Sequence, residues 1–435
     1  MDILTFKETD NKFKILNATN GGPWYRTGMI ETERNNFKDY KAARIPYSRN
    51  HDSNICGTMY GGPFSHDISA IFPNFDADVN DPASYDFECT DESIMANLEA
   101  GTQTFFRLGQ SIELQIKKHH TLPPRDFQKW AEICEHIIRH YNEGWANGFK
   151  LNMEYWEIWN EPDLPDDKPI RPTWGGTKAQ FCDFYEVAAK HLKKCFPNLK
   201  IGGPALSDNA EWMDYFLKEM KKRDVEIDFF SWHIYCTEPS EMLKMATWVK
   251  KLLVDNGYGD AESILNEWNY VKNWGDLFVY SVKSIISIKG AAFVMSCISE
   301  AQKSDCIDML MYYDTRPSVF CGVFDFYTCE RRKSYYPMAW YGQFYDMNRE
   351  LRCENEPENI YTLCGEDENG KLLCVVTNYS DDDDAPNKEI KLDFGKQSEY
   401  EIYLVDSDHD GELVKTVKDL VFDMKNQSLI LIKEK

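Results

Sequence analysis

Apolar and polar positions alternate through Tyr155-Trp156-Glu157-Ile158-Trp159, and the alternation stops at Asn160-Glu161-Pro162, where proline has no N–H to continue a ladder. This predicts a strand with a carboxylate at its tip. The same design returns at Ser263-Ile264-Leu265-Asn266-Glu267-Trp268-Asn269, which places a second glutamate 106 positions after the first. Further short apolar runs predict strands at Lys12-Phe13-Lys14-Ile15-Leu16, Ala43-Arg44-Ile45-Pro46-Tyr47, Thr104-Phe105-Phe106-Arg107-Leu108, Leu199-Lys200-Ile201-Gly202, Ile227 to Tyr235 and Met309 to Tyr313. Helical spacing fills the gaps, at about residues 91–100, 125–142, 179–196, 211–222, 240–257, 277–300 and 336–348. Eight strands interleaved with helices predict an α/β fold, a (β/α)8 TIM barrel over 1–351, with every strand end on one face. From 352 to 435 the runs are short strands separated by turns without helices, which predicts a C-terminal β-sandwich; the first residues of the chain are free to pair with it.

Two strand-end glutamates flanked by aromatics and amides are what glycoside hydrolysis requires, one as acid and one as nucleophile facing across a sugar. Composition agrees: 14% of the residues are aromatic, including 12 Trp and 24 Tyr, and such rings stack well on sugar faces. The net charge of −23 argues against a nucleic-acid partner, which calls for a basic footprint. No apolar run is long enough to predict a membrane span. The first residues, Met1-Asp2-Ile3-Leu4-Thr5-Phe6-Lys7-Glu8, lack the basic and apolar regions of a signal peptide, and the 13 scattered cysteines read as reduced in a cytoplasmic protein; a trimmed leader is the alternative. No metal or other cofactor is expected. His136 and His140 stand four apart on a predicted helix, but no H-E-x-x-H motif accompanies them. The run Asp381-Asp382-Asp383-Asp384 reads as a solvated hairpin loop. A long connection at 57–91, rich in Gly, Pro, Asp and Phe, follows the second barrel strand and is expected to wall the cleft into a pocket that admits one terminal sugar.

The segments Trp159-Asn160-Glu161-Pro162, Trp232-His233-Ile234-Tyr235 and Leu265-Asn266-Glu267-Trp268, with Arg44-Ile45-Pro46 and Ile201-Gly202-Gly203-Pro204, resemble glycoside hydrolase family 39 in the clan of retaining (β/α)8 glycosidases. The resemblance implies Glu161 as acid/base, Glu267 as nucleophile and Asn160 as the amide that holds the sugar 2-hydroxyl. It further implies that Tyr235 hydrogen-bonds the nucleophile and that His51, His233 and Trp268 contact the sugar. The activity it implies is a retaining β-xylosidase, and the pocket expected from the 57–91 connection makes the expected action exo, on short plant-type oligosaccharides. Galactosidase, glucosidase, arabinosidase and α-L-iduronidase activities stay open, as does a catalytically silent carbohydrate-binding homologue. Arg316 is the one basic residue proposed for a substrate carboxylate. A homo-oligomer also stays open.

Overall fold

A computed structural model describes residues 1–25, 35–53, 64–164, 172–316 and 318–435. Eight parallel strands close into a barrel: β2 (Ile15–Asn20), β3 (Tyr47–Arg49), β4 (Gln103–Leu108), β5 (Tyr155–Ile158), β6 (Lys200–Leu206), β7 (Phe229–Cys236), β8 (Glu262–Tyr270) and β9 (Met309–Tyr312), with β9 pairing back onto β2. Each of these strands is followed by one or more helical segments before the chain goes on, because parallel neighbours need a crossover. Helices with one apolar stripe, such as Phe127–Asn142 with Trp130, Ile133, Cys134, Ile137, Ile138 and Tyr141 buried, cover the barrel. Lys178–Cys195 starts on a capping box in which Thr177 Oγ1 accepts from the Gln180 N–H and Gln180 Oε1 accepts from the Thr177 N–H.

Two expected elements differ. The run Ala43–Tyr47 is not a strand: a helix, Phe37–Ala43, ends on Arg44 in the left-handed region, and β3 begins only at Tyr47, after Pro46, which has no N–H for a ladder. The helix expected over 277–300 is two helices, Phe278–Ile285 and Ile288–Lys303, bent by 76°. Ser287 separates them and caps the second, its hydroxyl accepting from the Lys289 N–H. Among the described residues no single helix is long and apolar enough to cross a membrane.

The remaining strands are β1 (Asp2–Thr9), β10 (Arg349–Cys353), β11 (Ile360–Glu366), β12 (Leu372–Asn378), β13 (Lys388–Asp393), β14 (Tyr400–Val405), β15 (Asp410–Val417), β16 (Val421–Met424) and β17 (Ser428–Glu434), in the order β15-β14-β17-β12-β11-β10-β1-β13-β16. β1 pairs antiparallel with β10 through Phe6–Thr9 and parallel with β13 through Asp2–Thr5, so it crosses from one layer to the other. Leu4, Ile390, Leu392, Phe422, Ile402 and Ile432 belong to the core between the layers.

The acidic run is not solvated throughout. Asp381 accepts from Tyr270 Oη at 2.6 Å and Lys272 Nζ at 2.7 Å, and Lys289 Nζ reaches Asp381 Oδ1 at 3.0 Å and Asp383 Oδ1 at 2.8 Å. Those lysines and the tyrosine belong to the barrel, so the run docks the sandwich onto it. The cysteines are not all reduced either. Cys364 and Cys374 face one another across β11 and β12 with Cα atoms 4.1 Å apart, and they form a disulfide; direct opposition in an antiparallel pair brings two thiols together.

Candidate active site

The end of β5 is held by its two neighbours. The Trp159 N–H donates to the Leu108 carbonyl on β4 at 2.7 Å, and the Glu161 N–H donates to the Ala205 carbonyl on β6 at 2.9 Å. Both Trp159 and Glu161 take positive φ, 76° and 42°, so the chain is turned sharply at the carboxylate. β6 approaches closely enough to accept that bond because Gly203, at φ 123°, has no Cβ; one built there would lie 2.8 Å from the Ile158 carbonyl oxygen.

Glu267 enters from β8, paired in register with His233 on β7 after a local irregularity between Trp232 and His233. Side chains alternate across the sheet, so Glu267 faces the barrel mouth and Trp268 faces outward. Trp268 is 1% exposed and packs on Phe293 and Tyr312, at centroid distances of 6.1 and 5.7 Å. It lines no cavity at the carboxylates, which corrects the expectation of a sugar contact.

The other expected residues converge. Tyr235 Oη donates to Glu267 Oε2 at 3.1 Å. His233 Nδ1 lies 2.7 Å from Glu161 Oε1 and 3.6 Å from Glu267 Oε2, which places one imidazole between the two carboxylates. One oxygen of each glutamate and one His233 nitrogen all lie within 4.8 Å of one another. His51 Nε2 is 3.9 Å from Glu267 Oε1. Asn160 accepts through Oδ1 from Arg49 Nη2, and its Nδ2 is buried without a partner among the described residues, a donor left for a ligand.

The residue that organises this group is Arg49 at the end of β3, which the reading of the sequence passed over. Its guanidinium is completely buried and donates to Glu157 Oε2 at 2.6 Å, to Asn20 Oδ1 at 3.1 Å and to Glu267 Oε1 at 2.9 Å, besides Asn160. Glu157 in turn accepts from Ser231 Oγ at 2.6 Å and from Asn266 Nδ2. A charged residue inside an apolar strand, on the face that alternation turns inward, was the available signal for Glu157; Arg49, last in the three-residue strand Tyr47-Ser48-Arg49, carried no such signal.

Electrostatics separate the two glutamates. Burial pushes the Glu161 carboxyl up to about 8; Arg49 opposes this, while the negative charges of Asp52 and Asp208 add to it. Burial raises Glu267 as well, and Glu161 adds to that, while His233 and Arg49 act against it. The difference lies in the donors: Glu267 accepts from a guanidinium and a phenol, whereas the Glu161 carboxyl has the imidazole of His233. Burial lowers the pKa of His233 and takes His51 well below its ordinary value, so both imidazoles are neutral near pH 7. Burial also raises Tyr235, which keeps its proton as donor to Glu267.

Above the carboxylates lies a cavity of about 440 Å³ lined by His51, Glu161, His233, Tyr235 and Glu267, together with Asp208, Tyr313, Trp274, Phe320 and aliphatic side chains. Arg316 is not among these residues. It is tied to Asp314 Oδ2 at 3.1 and 2.8 Å and donates to the Asp52 carbonyl, so it offers a substrate carboxylate no free donor fork. The described part of the 57–91 connection borders a separate cavity through Ile68, Ser69, Phe72, Pro73 and Phe75, and its residues 57–63 lie outside the described residues. As metal donors, Glu161, His233 and Glu267 form one cluster and Glu135, His191 and Cys195 another. His136 and His140 are otherwise engaged, with the Glu132 carbonyl and with the Trp145 carbonyl and Asp91.

A β-xylosidase of Caldicellulosiruptor saccharolyticus is 29% identical over 187 residues, 41% of this chain and 36% of that protein. A β-xylosidase of Geobacillus stearothermophilus is 30% identical over 143 residues, 32% of this chain and 25% of that protein. The aligned stretches thus span about a third and a quarter of these relatives' lengths. A glucosidase structure from Croceicoccus marinus superposes over 100% of this chain and 99% of its own with a TM-score of 0.81 at 20% identity. A monomeric β-xylosidase structure from Caulobacter crescentus covers the same shares with a TM-score of 0.70 at 15% identity. The description of the glycosyl hydrolases family 39 matches residues 24–255, more than half of the chain and inclusive of His51, Asn160, Glu161, His233 and Tyr235, and the protein belongs to that family.

Proposed function

We propose that this protein is a retaining, exo-acting glycosidase with β-xylosides as its substrate class, Glu161 as acid/base and Glu267 as nucleophile. The observation that carries the reading is the approach of the two carboxylates, one oxygen of each within 4.8 Å. Retaining glycosidases hold their carboxyl groups about 5–5.5 Å apart, and inverting ones leave about 6.5–9.5 Å for a water. In the first step Glu161 gives its proton to the glycosidic oxygen while Glu267 attacks the anomeric carbon; the C–O bond to the leaving group breaks and a glycosyl ester forms. In the second step water attacks that carbon, Glu161 takes the water's proton, and Glu267 departs as carboxylate. Arg49 and Tyr235 aim Glu267 and stabilise its returning charge, while a carboxyl pushed up to about 8 is protonated at neutral pH as the first step requires. The Asn160 Nδ2 donor beside these groups suits a sugar hydroxyl.

The xyloside reading is supported by the two relatives named β-xylosidases, and exo-action by a cavity of about 440 Å³, room for a terminal sugar and part of its leaving group. With Arg316 engaged by Asp314, a uronic acid is disfavoured against a neutral sugar. The test is a kinetic panel of nitrophenyl β-xyloside, β-glucoside, β-galactoside, α-arabinoside and α-iduronide, followed by azide rescue. Xyloside turnover should lead. Azide should restore Glu161→Ala with a retained glycosyl azide and Glu267→Ala with an inverted one. The opposite rescue pattern would exchange the roles, and no turnover of any glycoside would favour a silent binding homologue.

A further inference from the structure

The floor and the walls of the catalytic cavity are built from different chemistry. Polar groups gather at the floor around Glu161 and Glu267, in His51, His233 and Asn160. The walls rise from opposite sides of the barrel. From the loops after β8 and β9 come Trp274, Phe320 and Tyr313, a connected aromatic face: Trp274 lies 5.0 Å from the Tyr235 ring and 5.9 Å from Phe320, and Phe320 lies 5.6 Å from Tyr313. A further stacking contact, 5.8 Å at 20°, backs Trp274 with Phe278, yet Trp274 remains 59% exposed. Facing this wall across the mouth are Ile112, after β4, and Leu164, after β5. In the loop after β4, Leu114 and Ile116 follow Ile112 in the chain and are 82% and 89% exposed. Exposed apolar side chains collected at the rim of a site mark what it binds.

Among the described residues, few polar side chains stand beside these walls. Ser207 Oγ donates to Asp163 Oδ2 at 2.6 Å, which leaves the exposed Asp208 at the rim. Among the described residues Ile112, Leu164 and Phe320 offer no side-chain hydrogen-bond partner, so hydroxyls of a second sugar turned towards them would lose hydration without replacement, even where its C–H face stacks on Trp274. An aryl ring or alkyl chain would instead cover Trp274 and Phe320 and gain from it.

We infer that the leaving group accepted by this site is an apolar aglycone, aryl or alkyl, gripped between the Trp274–Phe320 wall and Ile112–Leu164, in preference to another sugar. The inference rests on the glycosidase reading and deepens it. Hydrolysis of n-octyl β-xyloside, methyl β-xyloside and xylobiose tests it, with the same aglycones on another sugar if the panel above selects one. All three leaving groups are alcohols, and the sugar alcohol is the most acidic, so bond cleavage alone favours xylobiose. The expected result is a kcat/KM for octyl xyloside about tenfold or more above xylobiose. Trp274→Ala should lower the octyl-to-methyl ratio of kcat/KM by about tenfold, and Trp274→Phe should recover most of it. Turnover in which xylobiose equals or exceeds octyl xyloside, or an octyl-to-methyl ratio unmoved by Trp274→Ala, overturns this inference and leaves the glycosidase reading standing. No turnover of any glycoside overturns both.

Discussion

Replacing Arg49 by methionine removes one buried charge and, with it, a donor to each of Glu157, Glu267, Asn160 and Asn20. The contact with Glu267 is a single charge-assisted hydrogen bond at 2.9 Å, and such bonds contribute about 1.5–3 kcal/mol. Because the guanidinium favours the ionised form of Glu267, its loss raises that carboxyl further. At about 1.4 kcal/mol per unit, the acid limb of kcat/KM should move to higher pH by about one to two units. Aim is lost as well, and a displaced nucleophile costs about 100-fold in kcat. Stability should fall by about 3–5 kcal/mol, since Glu157 is left buried beside Ser231 and Asn266 without its cation. The assay is a pH profile of nitrophenyl xyloside hydrolysis, with urea unfolding to confirm that the variant is folded under assay conditions. Arg49→Lys separates the effects: it keeps the charge and should return the acid limb towards wild type, but it has no fork to reach Glu157, Glu267 and Asn160 together, so kcat stays low. A folded Arg49→Met with an unmoved acid limb and wild-type kcat would refute the assignment of Arg49 as the group that positions and charges Glu267.

Three further outcomes follow from the geometry. Glu161 retains its proton in the folded state up to about pH 8, whereas the unfolded carboxyl releases it near pH 4.3, so folded stability falls as pH rises between the two values. Glu161→Gln, which never charges, should therefore be more stable than wild type at pH 9 by about 2–4 kcal/mol and nearly equal at pH 4, as urea midpoints would reveal; equal stability at both pH values would contradict a buried, reluctantly ionised Glu161. Trp268→Ala should lower stability by about 3–5 kcal/mol through the lost contacts with Phe293 and Tyr312. Its KM for xyloside at a temperature where it stays folded should match wild type, and a large rise in KM would restore Trp268 as a sugar contact. Asp381→Ala should cost about 3 kcal/mol, because it leaves the nearly buried Lys289 with Asp383, itself largely exposed, as its one carboxylate partner among the described residues, besides the Tyr280 hydroxyl and the carbonyl of residue 381, and limited proteolysis should cut between barrel and sandwich sooner; an unchanged digestion pattern would count against docking through the acidic run.

Much of the barrel was legible because alternation and helical spacing are local properties, as the runs around Trp156, Phe230 and Leu265 show. The two strand-tip glutamates were legible for a related reason: proline at 162 stops one strand, and a repeated amide–glutamate pairing marks the other. What escaped depended on contacts between distant parts of the chain. Arg49 gains its meaning only when barrel closure brings β3 within reach of Glu157 and Glu267, 108 and 218 positions away. Trp268 was misread although alternation was there to use: directly after an inward-facing Glu267 on one strand, it has to face the helices. Asp381 to Asp384 looked solvated since no local signal announces that Lys272, Lys289 and Tyr270 wait on the barrel. Ala43–Tyr47 shows the limit of apolar runs themselves: Pro46 and a left-handed Arg44 outweighed the hydrophobic pattern.

The stereochemistry of the first-formed sugar tests the central claim most directly. Hydrolysis of nitrophenyl β-xyloside by the intact protein, followed by proton NMR before mutarotation proceeds, should display β-xylose first, with the α-anomer growing in afterwards. That result is required if two carboxylates with oxygens within 4.8 Å act as acid/base and nucleophile through a glycosyl ester. First appearance of the α-anomer would mean a single inverting displacement by water, and the double displacement through Glu267 would be wrong.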